Sequence, residues 1–193
     1  MRRAFDILVS ALALLVASPI LLGAILWIVI ESPGSPFFRQ KRVGRDNQDF
    51  MLIKLRTMVK NAEKKGAGLA VDENDSRILK SGAFLRRTSI DEIPNLVNVL
   101  KGEMSIIGPR PTVRAQVDKY DEHQLRRLEV KPGITGWAQV NGRAALPWSE
   151  RIDLDVWYVD HRSAKLDAQI LLRTVRLLFS GDDLYRGETG GWK

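Results

Sequence analysis

The uncharged stretch from Ile7 to Ile30, ILVSALALLVASPILLGAILWIVI, constrains this chain more than any other feature. As a helix it would extend about 36 Å at 1.5 Å per residue, enough to cross a hydrocarbon layer of about 30 Å. Ser18 and Pro19 lie near its middle, where a proline removes a backbone donor and crowds the preceding turn, so a kink is expected there. Arg2 and Arg3 precede the run, and Arg39, Lys41, Arg42, Arg45, Lys54 and Arg56 follow it. Positive flanks favour the cytoplasmic side, and here both flanks are positive. A re-entrant helix broken at Ser18 and Pro19, returning to the face it left, satisfies both; a kinked signal anchor satisfies one. A cleaved signal peptide fits least, because no small-residue cleavage pattern follows the apolar core and Glu31 to Pro36 reads as a turn.

Residues 1–35 are accordingly assigned to the membrane segment and 36–193 to one compact domain on the cytoplasmic face. The formal charge of +7 suits an anionic membrane surface, a phosphorylated ligand or nucleic acid, and by itself selects none of them. The absence of cysteine excludes disulfides, thiolate nucleophiles and cysteine-based zinc sites. With only His123 and His161, a histidine metal cluster is disfavoured as well.

The expected fold class is α+β, mostly helical, with amphipathic helices at the membrane interface. Residues 36–58 read as a hairpin turning at Gly44 to Gln48, with Lys54 and Arg56 on one face of its second strand and Leu55 on the other. Asn61 to Ser76 reads as a loop or mobile cover, and Arg77 to Thr88 as a short helix. A further helix is expected from about Asp91 to Leu100. Ser89 and Glu92 would fit a capping box, but Asp91 at or beside the cap places Pro94 where no backbone donor is missed. Residues 103–111 read as an extended, proline-stiffened loop, 113–130 as one polar surface helix, and 131–143, too rich in glycine and proline for a helix, as a structured loop with room for a short strand. Trp148 to Asp160 and Lys165 to Phe179 complete the helices, the last with an apolar face suited equally to a membrane interface or a core. The polar tail from Gly181 to Lys193 either covers the site or frays.

Asp91 and Glu92 are adjacent acids in hydrophobic and basic surroundings. One reading is an N-cap and a first-turn carboxylate, both favoured by the helix dipole. The other is that one carboxylate attacks phosphorus while its neighbour holds a divalent cation. An attack of that kind needs the phosphate charge neutralised, for which Arg87, Arg110 between Pro109 and Pro111, and Arg143 are candidates. Each could equally be a solvated surface arginine. Trp137 and Trp148 could stack on a base or sugar, although core roles are commoner. Walker, dinucleotide and zinc signatures are absent. The residues alone therefore lead to a membrane-bound protein with a mixed-charge site for a phosphorylated ligand. A membrane-tethered nucleic-acid binder and a non-catalytic scaffold remain as readings of another class.

Four segments carry a resemblance: KLRTM at Lys54 to Met58, LRRTSIDEIPNLVNVLKGEMSIIGPRP at Leu85 to Pro111, KPGITGWAQVNGR at Lys131 to Arg143, and DLDVWYVD at Asp153 to Asp160. The chain resembles the minimal members of the bacterial sugar transferase family, the monotopic polyprenyl-phosphate phosphoglycosyl transferases. The resemblance implies transfer of a sugar 1-phosphate from a UDP-sugar to undecaprenyl phosphate, with release of UMP, at the bacterial inner membrane. It implies Asp91 as the nucleophile of a covalent phosphosugar intermediate, Glu92 as its partner at a Mg²⁺ site formed with Asp91, and Arg110 as a phosphate ligand. Lys54, Arg87 and Arg143 fall in motifs lining the site, and Ser18 and Pro19 match the break of a re-entrant helix. The partners implied are the two substrates and the phospholipid membrane, with no nucleic acid; a homodimer is left open. The segments AALPWSER and HRSAKLDAQ depart from the family pattern, leaving the sugar unspecified.

Overall fold

In a computed structural model, residues 2–62, 75–142 and 146–180 are described, the last three by backbone alone. Helix α1 runs from Arg2 to Glu31 without interruption. The expected break at Ser18 and Pro19 is thus not an end of the helix. Pro19 cannot donate to the Leu15 carbonyl, and the Ser18 hydroxyl donates to that oxygen instead at 2.7 Å, so the acceptor is satisfied.

One stripe of α1 faces the rest of the protein, with Asp6, Ser10, Ala24 and Ile28 buried along it. The opposite face leaves Leu8, Leu12, Leu15, Val16, Leu22, Leu26 and Ile30 exposed. Both ends are tied to the same body. At the start, the Asp6 carboxylate accepts from Ser105 Oγ and the Ile106 amide, and Arg3 donates to the Val99 and Leu100 carbonyls. At the finish, the Glu31 carboxylate accepts from the Lys80 and Ser81 amides at 2.7 and 2.9 Å, satisfying donors in the first turn of another helix, α2 (Lys80–Arg87).

The expected hairpin forms from β1 (Phe37–Val43) and β2 (Asp49–Leu55), antiparallel, with Phe38 opposite Lys54 and Val43 opposite Asp49. Leu55 is buried against Ala24, Ile28 and Leu85. Arg56 lies just past the strand, where its guanidinium donates to the Ser32 carbonyl. It therefore holds the end of α1, and the expected pairing with Lys54 on one face does not form.

The helix expected to begin near Asp91 begins four residues later. Ser89 adopts left-handed backbone angles, Ile90–Glu92 form a single 3-10 turn, and α3 spans Asn95–Lys101 with Pro94 at its cap. Neither Ser89 nor Asp91 caps α3. Pro94 suits that position because its missing amide is not required there.

Residues 105–107, expected as part of an extended loop, pair as strand β3 (Ser105–Ile107) with the short strand allowed for in 131–143, β4 (Gly133–Thr135), in parallel; the same segment also holds a helical turn at Trp137–Val140 that its glycine and proline content argues against. Glycines explain the closeness of the two strands. A β-carbon on Gly108 would lie 2.3 Å from the Lys131 carbonyl oxygen, and one on Gly133 would lie 2.1 Å from the Gly108 amide nitrogen. Only glycine admits that backbone crossing.

The single helix expected over 113–130 is instead α4 (Arg114–Val117), α5 (Glu122–Leu125) and a 3-10 turn, Arg126–Glu129. Asp121 and Gln124 form a reciprocal capping box that starts a new helix and so ends the old path. Helices α6 (Trp137–Val140), α7 (Trp148–His161) and α8 (Ala164–Ser180) follow. Helix α8 contributes Leu166 and Ile170 to the core, whereas its Leu172 and Val175 are exposed. The main core gathers β2, α3, β3 and α8 around Leu52, Val99, Ile106 and Ile170.

Candidate active site

Hairpin, 3-10 turn and post-strand loop converge on one carboxylate. Glu92 Oε1 accepts from Lys54 Nζ at 2.7 Å and from Arg110 Nη2 at 2.7 Å. Strand β2 aims Lys54, the 3-10 turn presents Glu92, and the segment following β3 carries Arg110 between its two prolines. Two cations on one oxygen favour the anion strongly: burial pushes the Glu92 carboxyl upward, but Arg110 and Lys54 outweigh it and hold it well below the usual carboxylate range. Lys54 is shifted down by burial, opposed by Glu92.

Asp91 behaves differently. It is only 8% exposed, and burial followed by the charge of Glu92 pushes its carboxyl up to about 6, against the pull of Lys54, Arg86 and Arg110. The cation acting on Asp91 from α2 is Arg86. Arg87, the expected one, sits exposed on the last turn of that helix. Arg143 lies outside the described residues.

Beside this cluster opens a cavity of about 480 Å³ whose wall includes Glu92 and Arg110, apolar Ile93, Leu96, Ile134 and Ala138, and a second polar group formed by Arg127, Trp148, Arg151 and Asp155. Within that group Arg127 pairs with Asp155 at 2.5 Å and donates to Tyr120 Oη at 2.7 Å and to the Arg110 carbonyl at 2.8 Å. Its guanidinium also lies 5.6 Å from the Trp148 ring centre. Sequence alone does not single out Arg86, Arg127 or Asp155: Arg86 and Asp155 stand in the quoted motifs beside residues of the same type, and Arg127 lies in a polar surface stretch. Trp148 reaches the cavity as considered. Trp137 does not line it; it stacks on Trp157 at 5.0 Å.

The arrangement offers a buried carboxylate, a second carboxylate held by exchangeable cations, and room for a ligand of nucleotide-sugar size. The family model for bacterial sugar transferases matches residues 1–181. The chain belongs to that family. EpsL of Bacillus subtilis strain 168, described as an uncharacterized sugar transferase, is 47% identical over 91% of this chain and 86% of its own length. The UDP-N-acetylgalactosamine-undecaprenyl-phosphate N-acetylgalactosaminephosphotransferase of Aeromonas hydrophila is 42% identical over 93% of this chain and 44% of its own length. The UDP-glucose:undecaprenyl-phosphate glucose-1-phosphate transferase of Escherichia coli K12 is 40% identical over 91% of this chain and 39% of its own length. The chain thus spans most of EpsL but less than half of the other two transferases.

Proposed function

We propose that the protein transfers a sugar 1-phosphate from a UDP-sugar to undecaprenyl phosphate in two displacements. Asp91 attacks the phosphorus that bears the sugar, the bond from that phosphorus to the bridging oxygen breaks, and UMP leaves with the electron pair. An oxygen of the lipid phosphate then attacks the same phosphorus, and the Asp91 carboxylate is released as the lipid-linked diphosphosugar forms. The observation carrying this reading is that Lys54 and Arg110 meet on Glu92 beside Asp91, at the wall of a cavity large enough for the donor. Both cations can shift their hydrogen bonds from Glu92 to an incoming diphosphate, and Arg110, 51% exposed, is free to move.

The donor set fits Mg²⁺, which is commonly held by one or two carboxylates together with phosphate oxygens and water. Asp91 and Glu92 would hold it, and it would supply neutralisation of diphosphate charge. The protein's own residues orient the donor through Arg110 and keep Glu92 ionised through Lys54.

The reading extends to the membrane. Helix α1 is long and apolar enough to cross a bilayer. Both of its ends are nonetheless bound by the same domain, through Asp6 and through Glu31, which supports entry and return on a single face over a span. The face is the cytoplasmic side of the bacterial inner membrane, where the donor is soluble and positive flanks are retained.

Detergent-solubilised protein incubated with Mg²⁺, undecaprenyl phosphate and a panel of UDP-sugars should release UMP from at least one donor. Asp91→Asn should abolish release and the covalent phosphosugar adduct detected by mass spectrometry. No UMP from any donor, or full activity in Asp91→Asn, overturns the proposal.

A further inference from the structure

Away from the catalytic cavity, two adjoining hollows sit where the start of α1 meets the start of α8. The first, about 230 Å³, is walled by Arg2, Arg3, Arg45, Lys131 and Arg162, with Asp6 and Glu129 as its acids. The second, about 290 Å³, is an apolar slot between Phe5 of α1 and Ala168 and Leu171 of α8, floored by Tyr158. They share Arg2, Asp6, Ser105 and Ile107, so a cationic mouth continues into an apolar channel. Neither shares a wall residue with the cavity at Glu92 and Arg110.

Five cations against two acids line the mouth. Among the described residues Asp6 accepts from Ser105 and Ile106, Glu129 is paired with Arg126 at 3.2 Å, and Arg3 donates to backbone carbonyls that bear no net charge. Arg2 meets Asp167 at 3.0 Å and Arg45 meets Asp46 at 3.1 Å. Lys131 and Arg162 form no ion pair with any described residue. A surplus of cations beside an apolar slot, at the foot of a helix whose outer face is bare Leu8, Leu12 and Leu15, matches a molecule with an anionic head and a hydrocarbon tail.

We propose that this groove binds one anionic membrane phospholipid, its phosphate at the mouth near Lys131 and Arg162 and the first part of one acyl chain between α1 and α8. The site is separate from the two substrates, and rests on the membrane attachment proposed above but not on the transfer chemistry. Its role is to seat the start of α1 and α8 at the bilayer surface, so that membranes rich in anionic lipid hold the enzyme in register.

The test titrates the full-length, detergent-solubilised protein with dioctanoyl phosphatidylglycerol, dioctanoyl phosphatidylcholine and sodium phosphate, each read as a saturable rise in melting temperature, with no sugar donor present. Phosphatidylglycerol should bind at least about tenfold more tightly than phosphatidylcholine, and sodium phosphate at equal concentration should give no shift. Lys131→Gln with Arg162→Gln should weaken phosphatidylglycerol about 25-fold, about fivefold for each basic residue removed, and leave phosphatidylcholine unchanged. Ala168→Phe, which fills the slot and leaves the mouth intact, should weaken phosphatidylglycerol as well. Equal binding of the two lipids, a phosphate response matching that of phosphatidylglycerol, or an unaltered double variant overturns the proposal. Because the lipid comparison on the unmodified chain stands without any variant, loss of a variant to misfolding does not protect the idea. UMP release is measured separately, so failure here and failure of the transfer reading are distinguishable.

Discussion

Two arginine–carboxylate pairs face the same cavity and differ in almost every respect. Arg127 and Asp155 meet at 2.5 Å with side chains 2% and 3% exposed, and Arg127 is further engaged by Tyr120 and the Arg110 carbonyl. Arg110 and Glu92 meet at 2.7 Å with Arg110 half open to solvent, and Glu92 is shared with Lys54. A closed pair of the first kind gains little net stability, since its attraction mainly offsets the desolvation of two charges. What it supplies is position: through the Arg110 carbonyl, Arg127 holds the backbone from which Arg110 reaches the site. The open pair can exchange its partner for a phosphate. On the proposed function, scaffold and chemistry use the same two functional groups, separated by exposure.

That contrast can be broken most sharply at Glu92. Glu92→Gln keeps the shape but removes the anion shared by Lys54 and Arg110, and UMP release should fall by about 10²–10³ while the melting temperature stays within a few degrees. An equally large loss of stability would erase the distinction between the pairs. At the closed pair, Arg127→Met leaves Asp155 buried without a counter-charge and should cost about 3–5 kcal/mol in denaturant unfolding, with Arg127→Met/Asp155→Leu recovering most of it. Arg110→Lys retains the charge but loses the planar fork, so KM for the sugar donor should rise about tenfold with little change in unfolding.

The smallest effect lies at a third pair, outside the cavity. Arg77 holds the Asp75 carboxyl down at about 2, below its ordinary 3.8. A depressed carboxylate contributes its stability above about pH 4 and loses it as pH falls through 4 toward 2. Asp75→Asn should therefore lower the melting temperature slightly at pH 7 and by progressively less as pH falls through 4 toward 2, as thermal scans across that range would register.

Much of the site was readable from the chain because its residues stand in dense motifs. Lys54, Glu92 and Arg110 were singled out by type and neighbours, and they meet. Arg127 and Asp155 were not, because RRLEV reads as a polar surface helix, Asp155 is one of several acids in the DLDVWYVD motif, and the two residues are brought together only by packing of α7. Arg86 and Arg87 are indistinguishable in sequence; which one turns toward Asp91 depends on the rotation of α2, set partly by the Glu31 carboxylate at its first turn. The split of residues 113–130 was legible and overlooked, since Asp121 and Gln124 have the capping-box spacing.

The sequence by itself determined that α1 is long and apolar enough to cross a membrane, that a hairpin forms at residues 37–55, and that adjacent acids occur among candidate cations. These follow from local composition and period, which act over a few residues. Tertiary structure alone decided that Lys54, Glu92 and Arg110 share one oxygen, that Asp91 is buried, and that both ends of α1 rest on one body. Such contacts join residues far apart in the chain and depend on long-range closure, including the glycine crossing of Gly108 with Gly133, where a single β-carbon would force the strands apart.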